Sequence, residues 1–492
     1  MTDQAVVFAG VLVYLVVVLL IGVFAARQAK TADDFLVAGR SLPVWLCGAT
    51  VTATFFGSGT VIGAAGAAYE GGLLAVIADP FGAALCVILA GFFFVRMLRR
   101  MRLLTVTDLF EIRYGTLAGM LSAIALMITY IGWTGAQLVA FGFVLHTLTG
   151  ISTTTGMMAG TVIVLAYTSA GGMWAVALTD FVQIVILFVG LAIMLPLVLS
   201  DVGGWAVVAE QLPEHTFRLL PLERTGAAWL EYVRAWAIIG LGSIATQDLL
   251  QRALSSRDER VAQNAFYLAG FAYLTVGMIP VILGLIGAVT LPGLVDPEFV
   301  VPQLALEHLH PIALAVFVGA LLAAIMSSAD SALLAPATLV SANIVPFFKP
   351  DVSEKTRLMW ARCSIPAIGV CALWVALRAQ TVYDLMLDAF SVNLVGIFVP
   401  FAAAIWWSKA NRAGALAAMF SGTATWAAAW VWAPDLPGDL MGMGVGALLM
   451  VAVSLATQRI DPPRPLTDIE GRRVGAGDRL GTLGLGRVGR PR

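Results

Sequence analysis

The chain has 492 residues, 60% of them apolar and 12% charged, with a mean hydropathy of +0.90 and a net charge of −1. Soluble proteins are usually about half apolar and about a quarter charged, and surface grows too quickly with size for so large an apolar excess to be hidden in one core. A water-soluble enzyme or nucleic-acid-binding protein is excluded, and the solvent of this chain must be largely lipid.

Runs of about 20 apolar residues mark membrane-spanning helices. Thirteen are expected, at 5–25, 44–68, 73–95, 117–146, 154–170, 173–199, 228–245, 263–291, 311–345, 357–378, 383–406, 411–433 and 438–457. The first follows Met1-Thr2-Asp3-Gln4, which lacks the basic residues of a secretion signal, so it reads as a retained helix with its N-terminus outside. Threading the spans from there puts 25 of the 29 lysines and arginines on one side, the cytoplasmic one. Only Arg218, Arg224, Arg234 and Arg378 fall elsewhere. Residues 1–460 then form the membrane domain. The Pro-, Gly- and Arg-rich stretch 461–492 reads as a disordered cytoplasmic tail. The absence of long glycosylated loops or a transit peptide points to a multi-pass protein of a bacterial inner membrane. Cys47, Cys86, Cys363 and Cys371 lack CxxC spacing and read as small core residues.

Polar groups inside lipid are costly, which makes them functional candidates. The second span contains Thr52-Ala53-Thr54-Phe55-Phe56-Gly57-Ser58-Gly59-Thr60, whose two glycines and four hydroxyls weaken a helix midway and free backbone carbonyls. The third holds Asp79 before Pro80, which removes a helix bond and leaves a carbonyl free. On the fourth, Trp133 and Gln137 stand one turn apart and offer an aromatic wall with a polar group. The sixth carries Asp180 with Gln183 one turn on. The seventh repeats the Gly-interrupted pattern as Gly240-Leu241-Gly242-Ser243-Ile244-Ala245-Thr246-Gln247. Paired interruptions five spans apart point to inverted repeats around a midplane site, although small residues also serve close helix packing.

In the ninth span, Ala324, Ser327, Ser328 and Ser331 share one helical face, and Asp330 is a further intramembrane carboxylate. Hydroxyls on that face, joined by carbonyls of an unwound neighbour, make a neutral oxygen cage suited to Na⁺, while the same serines could equally bond their own helix. Asn393 in the eleventh span completes the polar lining. The candidate solute-binding residues are therefore Thr54, Phe55, Ser58, Thr60, Asp79, Trp133, Gln137, Thr246, Gln247 and Asn393. No Ser/His/Asp or His/Glu set stands at one depth, and the four histidines lack metal-ligand spacing, so no catalytic residue is expected.

Several separated motifs resemble the sodium:solute symporter family in the right order between about Ala32 and Pro465. They are Asp33-Asp34-Phe35-Leu36-Val37-Ala38-Gly39-Arg40-Ser41-Leu42-Pro43, the GG-x-x-AV-x-x-TD stretch from Gly171 to Asp180, Gln247-Asp248-x-x-Gln251-Arg252, and Ala323–Ser331. The resemblance implies an all-α integral membrane fold with a core of two five-helix inverted repeats, about 44–199 and 228–406, working by alternating access. It implies a main sodium site formed by the carbonyls of Ala53, Phe56 and Ala324 and the hydroxyls of Ser327 and Ser328. A second cation site would use Asp180, Ser327, Asp330 and Ser331, and Asp330 replaces a serine found in some members.

The local motifs are closest to the choline branch. Yet Phe55 stands where choline carriers have Trp, and Ala83 and Thr246 stand where they have further aromatics. Sodium is the expected coupling ion and a small zwitterion, amine or other polar metabolite the expected solute, with no protein partner required. Proton coupling through Asp180 and Asp330, or a sensor built on a transporter fold, is the alternative.

Overall fold

A computed structural model describes residues 3–26, 32–379 and 381–474. Among these residues helix follows helix, and strand-like pairing is limited to two isolated bridges, Leu42 with Ser256 and Thr467 with Arg473. The first helix, α1 (Asp3–Ala26), precedes two bent pairs. In the first pair, α2 (Val44–Phe55) meets α3 (Gly59–Ala75) at 55°; in the second, α4 (Ile77–Phe93) meets α5 (Val95–Met101) at 52°. Next come α6 (Val106–Tyr114) and α7 (Thr116–Thr149). A continuous helical stretch follows, divided at Gly172 into α8 (153–171) and α9 (Gly172–Asp201). Gly172 has φ of +62°, a backbone conformation that side chains rarely adopt.

The second half runs through α10 (Gly226–Gly240), α11 (Gln247–Ser255) and α12 (Glu259–Thr290). It continues with the short α13 (Val300–His308), α14 (Pro311–Phe348), α15 (Glu354–Ala376) and α16 (Val382–Trp406). The chain then adds α17 (Arg412–Trp432) and α18 (Gly438–Ala456). Among the described residues, seven helices are long and apolar enough to cross a membrane, or nine counting each bent pair as one. With α1, α8, the α10–α11 pair and α17, these give thirteen helical passages in the expected order. Many starts are written locally. Ser152, Thr225, Asp258, Ser353, Thr381 and Asn411 each accept a first-turn N–H of the helix they precede.

The passage that carries the serines lies at the centre. In α14, 83% of the most apolar window is buried, against 28% in α15 and in α18. It packs on α9, α7, α1, α15 and α2, so its polar residues cannot face lipid. Both passages expected to break do so: α2 and α3 are separated at Phe56-Gly57-Ser58, and turns at 241–246 part α10 from α11. On the Arg-rich side, Arg113 of α6 donates to the carbonyls of Ala404 (3.0 Å), Trp407 (3.0 Å) and Ala410 (3.3 Å), capping the end of α16. On the opposite side, Glu298 accepts from the Val382 and Tyr383 N–H groups at the start of α16, at 2.8 and 2.9 Å.

Residues 461–474, expected from composition to lack structure, hold defined contacts. The Ile469 N–H donates to the Met101 carbonyl (3.1 Å), an Asp461 carboxylate oxygen accepts from Ala413 N–H (2.8 Å), and Leu466 is buried. This segment docks through scattered backbone and side-chain contacts, Glu470 with Arg102 (3.0 Å) among them, which leave no periodic pattern to read. The remainder of the expected tail, 475–492, lies outside the described residues.

Candidate functional site

The break between α2 and α3 decides which carbonyls are available. In a continuous helix the Gly57 N–H would bond to Ala53, but it turns to Phe55 instead (2.8 Å). The Ser58 N–H, which would serve Thr54, is taken by Gln137 Oε1 (3.1 Å). The freed carbonyls are met by α14. The Ser327 hydroxyl lies 3.2 Å from Ala53 O and 3.0 Å from Ala324 O. The Ser328 hydroxyl lies 3.2 Å from Ala53 O and 3.1 Å from Thr54 O. A Cβ at Gly57 would stand 2.7 Å from Ser328 Cβ, so glycine is what lets the two helices approach here.

Four of the five atoms expected in the main sodium site, from Ala53, Ala324, Ser327 and Ser328, are thus brought together, and the Thr54 carbonyl joins them. The Phe56 carbonyl bonds neither serine; the Phe56 ring packs against Phe188 and Tyr273. The donor set is all oxygen and formally neutral, which fits a hard monovalent cation.

The second expected cation set is arranged differently. The Asp180 carboxylate, fully buried, accepts from the Thr50 hydroxyl and lies 3.6 Å from Arg252 Nη2. The same Arg252 nitrogen donates to the Ser331 hydroxyl, and Nη1 donates to the Asp248 carbonyl (2.9 Å). A guanidinium therefore stands between Asp180 and Ser331. Asp330 is turned away from them, its Oδ1 accepting from Thr168 on α8 (2.8 Å).

The expected solute residues divide into two groups. Thr54, Phe55, Asp79 and Trp133 line one narrow pocket with a cavity volume of about 10 Å³, together with Ala83, Ile239, Asp248, Met386 and Phe390. Thr60 holds the Asp79 carboxylate oxygens at 3.1 and 3.0 Å. Tyr273 of α12 bonds Thr60 and the Phe55 carbonyl (2.9 Å) and reaches Asp79 Oδ2 at 3.4 Å. The Trp133 and Phe390 ring centroids are 5.4 Å apart.

The others lie outside the pocket lining. Gln137 braces the break through the Ser58 N–H, and the Ser58 hydroxyl is buried without a partner. The Thr246 hydroxyl bonds the Ser243 carbonyl, and Asn393 donates to the Gly242 carbonyl, so both secure the break between α10 and α11. Gln247 accepts from the Val106 N–H (2.8 Å) and ties that break to α6. Sequence reading missed Tyr273, which holds Thr60 and Asp79, and Asp248, Met386 and Phe390, which line the pocket. A tyrosine mid-way along an apolar span was a usable signal for the first; for the two apolar residues there was none.

A profile of the sodium:solute symporter family matches residues 35–422. The chain belongs to the sodium:solute symporter family. It is 31% identical over 439 residues to the human high affinity choline transporter 1, covering 84% of this chain and 75% of that one. It is 27% identical to an osmoregulated proline transporter of Bacillus subtilis, covering 91% and 94%. Its fold is shared with a Na⁺-coupled sialic acid symporter solved in a substrate-bound outward-open state, at a TM-score of 0.80 and 19% identity, over 94% and 99% of the two chains. The chain is thus a multi-pass membrane transporter rather than an enzyme, with the inverted-repeat core of sodium-coupled carriers and sodium as its coupling ion.

Proposed function

We propose that this symporter carries a small organic amine inward with sodium, by alternating access, and that the amine is held by Asp79. The observation that carries this reading is a carboxylate only 2% exposed, in a pocket walled by Phe55, Trp133 and Phe390. Among the described residues no Lys, Arg or His lies within 4.0 Å of it. Burying an ionised carboxylate is costly unless a positive charge comes with it, and aromatic faces attract cations. The similarity to choline transporters supports a nitrogen cation. Phe55, Ala83 and Thr246, in place of larger aromatics, favour an amine that donates hydrogen bonds over a fully methylated ammonium.

The carbonyls of Ala53, Thr54 and Ala324 with the Ser327 and Ser328 hydroxyls hold sodium in this reading, and the ion ties α2 to α14. A ligand shifts the balance between outward and inward states only by its differential affinity for them, and contacts shared between these two helices supply that difference. Arg252 already provides a positive charge at Asp180 and Ser331, so one sodium accompanies each solute. The transport domain is 1–460, with repeats 44–199 and 228–406. The basic loops face the cytoplasm of a bacterial inner membrane and the N-terminus lies outside, which the side-by-side distribution of 25 of the 29 basic residues supports.

The test is uptake into proteoliposomes under an imposed sodium gradient, across amines, zwitterions and neutral solutes of similar size. Amines should accumulate only with sodium, and Asp79→Asn should abolish their accumulation while the variant keeps a sodium-induced thermal shift. Accumulation of a neutral solute in preference to every amine would overturn the assignment.

A further inference from the structure

On the Arg-rich side the short helix α5 stands between two braced groups of helices. The first group joins the residues that lead into α2 to those that follow α11. The Leu42 N–H donates to Ser255 O (3.1 Å) and the Arg257 N–H to Leu42 O (3.0 Å). The end of α5 is laced to both. Arg40 donates to the carbonyls of Arg102 (2.8 Å) and Leu103 (3.0 Å), and Arg99 donates to those of Ser256 (2.6 Å) and Arg257 (3.0 Å).

The second group is α6, α16 and α17. Besides the Arg113 cap on the end of α16, the Tyr114 hydroxyl donates to Pro400 O (2.9 Å). The chain crosses from the first group to the second through residues 102–105. Arg102 has φ of +57°, a left-handed backbone that a side chain makes costly. A short link between two braced groups is where rotation of one against the other concentrates. In this structure that side is closed: Gln247 of α11 reaches the Val106 N–H of α6 (2.8 Å), and the Phe94 and Phe401 rings pack at 5.1 Å.

The segment after α18 lies across this link. It is fastened to the second group through Asp461, whose carbonyl accepts from Asn411 (2.8 Å) and whose carboxylate accepts from Ala413 N–H (2.8 Å). The Arg464 guanidinium packs over Gly115, where a Cβ would stand 3.2 Å from its Nη2. Residues 466–474 then fold back on themselves. The Val474 N–H donates to Leu466 O (2.8 Å), and the Asp468 carboxylate accepts from the Glu470 (3.0 Å) and Arg472 (2.8 Å) N–H groups. This turn presents Ile469 and Glu470 to α5. The Ile469 N–H takes the Met101 carbonyl, one of the acceptors that a helix end leaves unpaired, and Glu470 pairs with Arg102. Both contacts therefore fall on the hinge itself. The ion pair is half-exposed, so it is weak and screened by salt, which suits a contact that must release.

We propose that residues 466–474 are a splint on the α5–α6 hinge: docked, they hold the Arg-rich side closed, and their release lets that side open in the transport cycle. Opening turns the first group against the second and changes the backbone at Met101 and Arg102. The splint fits the closed arrangement and favours it by its differential affinity for the two. It acts on the hinge whatever solute is carried.

The experiment compares the full chain with two truncations, one ending at Val474, which keeps the splint, and one ending at Pro465, which removes it. Spin labels at Arg260→Cys, in the first turn of α12, and Lys409→Cys, between α16 and α17, sit on exposed positions of the two groups. Cys363 and Cys371, also exposed, are replaced by Ser. Double electron–electron resonance then reads the distance across the hinge, in sodium and in potassium. Ending at Pro465 should raise the longer-distance population by about twofold or more, and ending at Val474 should leave it as in the full chain. Glu470→Arg should give a smaller rise, and Arg102→Glu combined with Glu470→Arg should reverse it. These two variants keep the whole segment, so they decide the matter if the shorter truncation does not fold. Unchanged populations in the Pro465 chain, or in Glu470→Arg where that chain does not fold, would overturn the proposal. An equal rise in both truncations would overturn it too, because residues beyond Val474 would then be what holds the side closed.

Discussion

Replacing Ser328 with alanine removes a single oxygen atom from the place where α2 and α14 meet. Its hydroxyl bridges Ala53 O at 3.2 Å and Thr54 O at 3.1 Å, and both carbonyls lack their helical partners because Gly57 and Ser58 donate elsewhere. An interaction between a polar group and a charge is worth about 1.5–3 kcal/mol, and each 1.4 kcal/mol is about tenfold in affinity. Ser328→Ala should therefore raise the sodium concentration for half-maximal stabilisation or uptake by about tenfold to a hundredfold. Without sodium the loss is smaller, because the Ala53 carbonyl keeps the Ser327 hydroxyl as a neighbour at 3.2 Å. The assay is thermal unfolding of purified protein titrated with sodium at constant ionic strength with potassium, followed by uptake in liposomes. A half-maximal concentration within twofold of the parent would refute the site, whatever happened to overall stability. Loss of stability with no change in sodium response would assign Ser328 to helix packing alone.

Two further outcomes are expected. Removing one partner of a buried ion pair costs about 3–5 kcal/mol, because a bare charge is left behind, whereas replacing both with apolar groups costs far less. Asp180→Ala should thus lower the thermal midpoint sharply and Asp180→Ala with Arg252→Leu much less, while sodium activation of the parent keeps a Hill coefficient near one; a coefficient near two would show a second ion. Glu298, in the single turn just before α13, is a pH-sensitive clamp on the start of α16. Burial pushes its carboxyl up from the ordinary 4.5 to about 7, against the lowering effect of the Val382 and Tyr383 N–H groups, with Asp296 and Asp384 adding to the rise. An acid whose value is raised on folding makes the folded state hold the extra proton, so its contribution is complete below 4.5 and is lost as the pH climbs through about 7. The parent's thermal midpoint should fall across that window relative to Glu298→Gln, and parallel profiles would show that Glu298 does not titrate there.

Composition alone determined that the chain lives in lipid, since no fold of this size can hide so many apolar residues from water. Thirteen apolar runs gave thirteen passages. Threonine, serine and glycine density located the break at Phe56-Gly57-Ser58, because an α-helix cannot absorb two glycines and a run of competing hydroxyls without cost. The serine face of α14 was legible too, being a helical repeat in sequence. What the sequence could not reveal is which carbonyl the break releases. Thr54 rather than Phe56 meets Ser328 because Gln137, 79 residues further along, takes the Ser58 N–H. Asp180 likewise reads as an intramembrane charge awaiting an ion until Arg252, 72 positions away, is found beside it.

Asp248 sits within the same motif as Gln247, yet the first lines the pocket and the second ties α11 to α6. Adjacent positions on a helix point in different directions, and only the packed neighbours decide what each one meets. Local patterning fixes which segments become helices and where they weaken. The pairing of charges, donors and cavities belongs to contacts between residues far apart in the chain, so it is decided by the tertiary structure.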